Sequence, residues 1–214
     1  MASTRQRLID VAMREFAESG DRTVSVSQLA RSAGVARGTI YVHLPKPDRL
    51  FDVVAEDIGN RISSLPDSWT PDASAPELRV AMFLAALLKL THEDPDFGRY
   101  AVTFAPSTPA LYRVWSDFLP GEIRRAVAEG IFSPFTDGIG FYIQLLSGAT
   151  YAYMMMLVEG RASWRDASRN LIIMGLKAGG LSPDAAMQTA QAAIAHLTTR
   201  NGDADRTADA KQRL

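Results

Sequence analysis

The stretch SVSQLARSAGVARGTIYVHLPKPDRLF, Ser25 to Phe51, decides how this chain is read. Ser25 with Gln28 three residues on has the form of a capping box, so a helix is predicted to start there. Gly34 tolerates positive φ and ends that helix after roughly two turns. Pro45 cannot continue a helix, so the next segment, ARGTIYVHL, is again only about two turns long. Two short helices joined by a glycine turn are the pattern of a helix-turn-helix. Leu29, Ala30, Ala33, Val35 and Ile40 are the apolar positions that would hold the pair against a further helix.

That helix lies upstream. Leu8, Ile9, Ala12, Met13 and Phe16 recur at amphipathic spacing, Ser3 with Gln6 makes another capping box, and Gly20 supplies the stop. Downstream, DRLFDVVAEDIGNRI returns to helical spacing at Leu50, Phe51, Val54, Ile58 and Ile62, then runs into SSLPDSWTPDASAPE, read as a linker and loop. The rest is also helical in pattern. One helix starts at Pro76, one runs from Thr108 and Pro109 to Gly130, two cover TDGIGFYIQLLSGATYAYMMMLVEG and SWRDASRNLIIMGLKAGG, and one opens at Ser182 and Pro183. The predicted fold class is all-α, with about nine to ten helices. Its expected parts are a three-helix head over 1–50, a body over 51–200 and a polar, disordered tail over 201–214.

Composition narrows the function. With 47% hydrophobic and 22% charged residues in 214, the chain is an ordinary globular protein rather than a disordered one. The absence of Cys excludes disulfides, thiolate zinc sites and Cys nucleophiles, and fits a reducing cytoplasm. The N-terminal MASTRQRLIDVAMREF has no uninterrupted apolar core of the kind a signal peptide needs, so a cytoplasmic location without membrane attachment is expected. Residues 1–50 carry eight basic and five acidic side chains, +3, which leaves −4 on the remainder for a total of −1. A basic head on an acidic body suits docking of one end on a polyanion.

Chemistry of other kinds finds little support. His92, Glu93, Asp94 and Asp96 in THEDPD lack a second histidine at ligand spacing, so they read as a charged helix end and no metal is expected. His43, His92 and His196 are the only histidines, no Ser-His-Asp arrangement is arguable and no Gly-rich phosphate loop is present. Neither an enzyme nor a cofactor is expected.

In a helix-turn-helix the second helix enters the DNA major groove, its N-terminal residues on base edges while flanking groups hold phosphates. Arg37 begins that helix; its guanidinium matches the O6 and N7 acceptors of guanine, and Gly38 lets the backbone approach. Thr39, Tyr41 and His43 carry donors of the kind used on phosphates. A packed core tyrosine is the alternative reading of Tyr41. Residues 4 to 51 resemble the DNA-binding head of the tetracycline-repressor (TetR) family of bacterial transcription regulators. The resemblance is carried by Leu29, Ala30, Ala33, Gly34, Val35, Gly38, Thr39, Ile40, Tyr41 and His43. It implies phosphate contacts at Thr39, Tyr41 and His43 and at Ser25 and Ser27, with base reading at Arg37 and Gly38. Where the family has Ser-Lys opening the fourth helix this chain has Lys46-Pro47, which leaves two readings: Lys46 supplies the cation from one position earlier, or the prolines simply start the fourth helix. Val42 and Leu44 replace family aromatics, and Ala36 replaces a Ser cap worth about 0.5–2 kcal/mol.

In the body, aromatic and Met side chains at helical spacing read either as core or as the lining of a pocket for an apolar or aromatic molecule. The candidates are Phe83, Leu87, Phe104, Tyr112, Trp115, Phe118, Phe141, Leu145, Tyr151 and Met155, with Gln144 as the polar handle. The resemblance implies that Thr136 to Glu159 and Trp164 to Ala178 form a four-helix bundle with their twofold mates, hence a homodimer. Together these readings describe a ligand-responsive homodimeric repressor of double-stranded DNA with an inverted-repeat operator. The alternative is an all-helical ligand-binding or scaffold protein whose head has lost specific DNA binding.

Overall fold

A computed structural model of the protein describes residues 3–65, 75–133 and 138–212. Among the described residues the only regular elements are helices. The first, α1, is Thr4–Ser19: the Ser3 hydroxyl accepts the Gln6 N–H at 3.1 Å, and Gly20, at φ 67°, closes it through its N–H to the Phe16 carbonyl. Then come α2 (Val26–Ser32) and α3 (Arg37–His43), and a 3-10 turn at Pro47–Arg49 leads into α4 (Leu50–Ser63). Both capping boxes are half formed. Ser3 and Ser25 cap as the sequence predicts, but the Gln6 amide donates to Asp10 and Asp57, and the Gln28 amide to Glu15. A long amide that finds a carboxylate on another turn or helix gains a charge-assisted bond in place of a neutral one.

The remaining helices are α5 (Pro76–Glu93), α6 (Pro95–Phe104), α7 (Pro109–Asp117), α8 (Leu119–Ala128), α9 (Ile139–Val158), α10 (Trp164–Ala178) and α11 (Pro183–Gln212), with a 3-10 turn at Ala105–Ser107. Helix α5 is apolar on every side, with Val80 to Leu88 buried without a break, so it can only be central. It packs against α6, α8, α9, α10 and α11.

Three features differ from the sequence reading. The single helix expected from Thr108 to Gly130 is two, broken at Phe118, because Pro120 has no N–H for the carbonyl one turn back and its ring crowds that turn. Helix α6 went unpredicted; Asp94 caps it, accepting the Phe97 N–H at 3.0 Å, and Pro95 occupies its first turn. The last helix runs through Asn201 to Gln212, the stretch expected to be a disordered tail. Most of the linker sequence, residues 66–74, and the expected bundle start at Thr136 lie outside the described residues.

The acids of THEDPD form ion pairs within and between helices. Glu93 pairs with Lys89, Asp94 with Arg61 of α4 at 3.6 Å, and Asp96 with Arg99 and, at 2.7 Å, with Arg14 of α1. Burial alone would raise the Asp96 pKa, but Arg14 and Arg99 outweigh it and hold the carboxyl below its ordinary value. Beside these pairs Phe16, Phe51, Tyr100 and Phe104 form one aromatic cluster, and Arg22 lies over Phe51 at 4.8 Å while donating to the Ser107 hydroxyl at 2.7 Å. Helices α1 and α4 are thereby fastened to α6 and the turn after it.

A second fastening is steric. Helix α4 lies against α7 so closely that a Cβ added at Gly59 would sit 2.7 Å from the Ala110 carbonyl oxygen. Gly59→Ala is therefore expected to push α4 off α7 and cost about 1–3 kcal/mol. The urea unfolding midpoint reads this loss, and an unchanged midpoint would show that the two helices can separate freely.

Candidate nucleic-acid interface

The α2–α3 unit is held from beneath. Leu29, Ala30 and Ile40 are fully or almost fully buried in the same core as Leu8, Ile9, Ala12, Met13 and Phe16 of α1. Between the helices Gly34 adopts φ 65°, and the Val35 N–H reaches back to the Ala30 carbonyl at 3.0 Å, the geometry that a side chain with a Cβ resists. On the outside Glu15 of α1 accepts from both Gln28 and Ser32 of α2. The unit is thus braced at its apolar base and along its polar edge.

What α3 leaves uncovered follows from its period. Ile40 and Leu44, four apart, face the core. Arg37 and Tyr41 form one stripe on the outer side, and Gly38 and Val42 another. Tyr41 is 53% exposed, which favours contact with a partner over core packing. Thr39 and His43 flank these stripes half-buried, and Ser25 and Ser27 lie at the start of α2 with Ser25 exposed and Ser27 half-buried. The Ser25 hydroxyl is engaged as the α2 cap. Ala36 begins α3 with no side-chain cap bond. Among the described residues Arg37 and Lys46 have no side-chain hydrogen bond or ion pair, so their charges are available. Lys46 is exposed just before the 3-10 turn, and Pro47, at the first position of that turn, has no N–H to offer.

Val42 was not among the sequence candidates, yet at 76% exposure it is an apolar side chain held out to solvent on the same face as Gly38. Its place four residues after Gly38, with buried Ile40 between, was the available signal.

The body candidates do not converge on one site. A surface cleft of about 380 Å³ between α7, the start of α8 and α9 takes Tyr112, Trp115, Phe141 and Gln144, with Ser116, Pro120 and Ile143. The Gln144 amide donates to the Tyr112 hydroxyl at the rim. Behind the cleft Phe83 meets Trp115 edge-on at 5.8 Å and Phe118 at 5.4 Å, and the Trp115 indole N–H donates to the Tyr151 hydroxyl at 2.8 Å. Burial raises the Tyr151 pKa despite that bond, so the phenol stays neutral. Leu87 lines a separate interior void of about 20 Å³, room for about one water, with Trp115 and Tyr151. Phe104 belongs to the aromatic cluster under α1 and α4, away from the cleft. Leu145 and Met155 are exposed along α9.

Helix α9 is unusual in itself. It is long and apolar enough to cross a membrane, and only 33% of its most apolar window is buried in the single chain. Its uncovered side carries Phe141, 73% exposed, with Leu145 and Met155, and Met174 of α10 is 64% exposed.

Known proteins resemble this chain in its head and in its fold. Residues 8–53 match the model of "Bacterial regulatory proteins, tetR family". The HTH-type transcriptional regulator AcrR of Shigella flexneri is 39% identical over 62 residues, 29% of either chain. The fatty acid metabolism regulator protein of Bacillus subtilis (strain 168) is 36% identical over 93 residues, 43% of this chain and 47% of that one. The chain thus matches less than half the length of either relative. The crystal structure of RolR in complex with resorcinol is similar with a TM-score of 0.64 at 22% identity, over 87% of this chain and 92% of that one. The fatty acid degradation regulator FadR from Bacillus halodurans is similar with a TM-score of 0.70 at 18% identity, over 85% and 97%. At these identities the structures share the fold.

Proposed function

We propose that this chain, whose head belongs to the tetR family of bacterial regulatory proteins, is a homodimeric repressor that binds an inverted-repeat operator and is released by a small apolar or aromatic molecule. The observation that carries the DNA reading is α3 itself. A helix held by buried Ile40 and Leu44 presents both Arg37, which has no partner among the described residues, and Tyr41 to solvent. Arg37 suits guanine, and the exposed Val42 methyls suit the methyl group of thymine. Thr39, Tyr41, His43, Lys46, Ser25 and Ser27 are assigned to phosphates, with Gly38 as the close-approach position.

The dimer reading rests on α9 and α10. Their uncovered Leu145, Met155 and Met174 form an apolar face of a kind that soluble monomers seldom expose. Pairing two copies across it would bury an α9 otherwise apolar enough for lipid and keep the protein in the cytoplasm. Two heads related by that axis would require half-sites about 34–36 Å apart or a multiple of it. The head is assigned to residues 1–50 and the ligand-binding and dimerisation body to 51–200.

The effector reading rests on the cleft at Tyr112, Trp115, Phe141 and Gln144, whose aromatic walls and single amide–phenol pair suit a flat molecule with one or two polar groups. That RolR was crystallised with resorcinol, a small dihydroxylated ring, is in keeping with such a ligand. Tyr112 and Trp115 stand on α7, the helix against which Gly59 seats α4, so a displaced α7 would move α4 and the head with it. Coupling of about 1–3 kcal/mol changes DNA affinity about five- to 150-fold.

Selection of bound DNA from a random duplex pool tests this function. A palindromic motif is expected among the retained sequences. A folded dimer that enriches no sequence would point to the ligand-binding alternative.

A further inference from the structure

The head has a second basic feature, away from the exposed face of α3. A cleft of about 390 Å³ lies where the end of α3, the 3-10 turn and the first turns of α1 and α4 meet. Four basic side chains line it, Arg5 from α1, His43 from the end of α3, Lys46 from just before the turn and Arg49 from the turn itself, together with Asp52 and Glu56 of α4. We propose that Arg5 and Arg49 form a DNA-phosphate clamp across this cleft, and that Asp52 occupies the clamp in the free protein. The inference rests on the DNA-binding reading above and adds to it residues to which no role has been given.

Three observations carry it. The cleft is continuous with the proposed interface through His43 and Lys46, so a duplex lying along α3 brings its backbone there. The turn that faces it starts at Pro47, which offers neither charge nor N–H, so the positive charge that attracts an anion at this point comes from side chains. Arg49 is already paired with a carboxylate, its Nε 3.3 Å from Asp52 Oδ2, and both partners are more than half exposed. An exposed pair of this kind is weak, whereas a guanidinium can hold two oxygens of a phosphate at once. Exchange of Asp52 for phosphate is therefore favourable once other contacts have brought the backbone in. Asp52 and Glu56, four apart on α4, would repel a lone anion, so the cleft suits a phosphate that arrives tethered to a duplex.

The test is the salt dependence of binding to a random-sequence duplex, with full-length wild type and variants whose folding is checked by circular dichroism. Arg5→Ala and Arg49→Ala are each expected to reduce the slope of log K against log salt, and the double variant by about 0.9, the share of the one phosphate the clamp holds. Asp52→Asn is expected to tighten binding about two- to fivefold. Arg161→Ala, on the exposed body surface, is the control and should leave the slope unchanged. Wild-type binding with unaltered slopes in both arginine variants would overturn the clamp alone, whereas no binding by the wild type would overturn the DNA reading with it. Inorganic phosphate, compared with chloride at equal ionic strength, should not raise the wild-type Tm. A phosphate-specific rise that the double variant loses would make this a free-anion site and overturn its assignment to DNA.

Discussion

Phe16→Ala is expected to lower the free energy of unfolding by about 3–5 kcal/mol, the usual cost of removing a buried phenyl ring. Phe16 has no exposed surface, and its ring meets Phe51 edge-on at 5.3 Å and Tyr100 at 6.4 Å. Those two rings lie 5.8 Å from each other and 5.1 and 5.0 Å from Phe104, so one side chain of α1 supports a cluster shared with α4 and α6. The hole left by alanine is hard to fill. Among the described residues the Tyr100 hydroxyl is buried without a hydrogen-bond partner, its pKa raised by burial, and any shift of that ring moves a polar group already short of contacts. Chemical denaturation measures the loss. A cost under about 1 kcal/mol would mean that the cluster collapses around the gap and that α1 is held by the Arg14–Asp96 and Arg22–Ser107 contacts instead.

The head was legible in the sequence because its signals are local. Ser3, Gly20, Ser25 and Gly34 mark helix ends by their own backbone and side-chain chemistry, and each does so in the structure. The cap that Ala36 lacks was legible for the same reason. What could not be read depends on which helix lies next to which. Period and phase place Phe104 and Trp115 on buried faces, but only packing decides that one belongs under α1 and the other in a cleft beside α9. The break at Phe118 was missed because TPALYRVWSDFLPGEIRRAVAEG keeps helical spacing of its apolar residues across Pro120. Arg5 and Arg49 are 44 positions apart, with nothing in either neighbourhood to join them.

Arg37→Ala is expected to lose about 1–3 kcal/mol of discrimination at one base pair of each half-site, a preference of roughly five- to 150-fold, while Tyr41→Phe weakens all sequences alike. The two side chains are one turn apart on the same uncovered stripe of α3, so proximity alone does not separate their roles; chemistry does. A guanidinium has two parallel donors, which match guanine and mismatch adenine. A phenol has one donor, which any phosphate oxygen accepts equally well. Neither substitution should disturb the fold, because Arg37 and Tyr41 are exposed and the helix is anchored by Ile40 and Leu44. Repeating the random-pool selection with each variant separates the outcomes. Loss of a guanine from the Arg37→Ala motif, with the Tyr41→Phe motif unchanged, is the expected pair of results. If the Tyr41→Phe motif changed instead, the phenol would be reading bases, and its assignment to phosphate would be wrong.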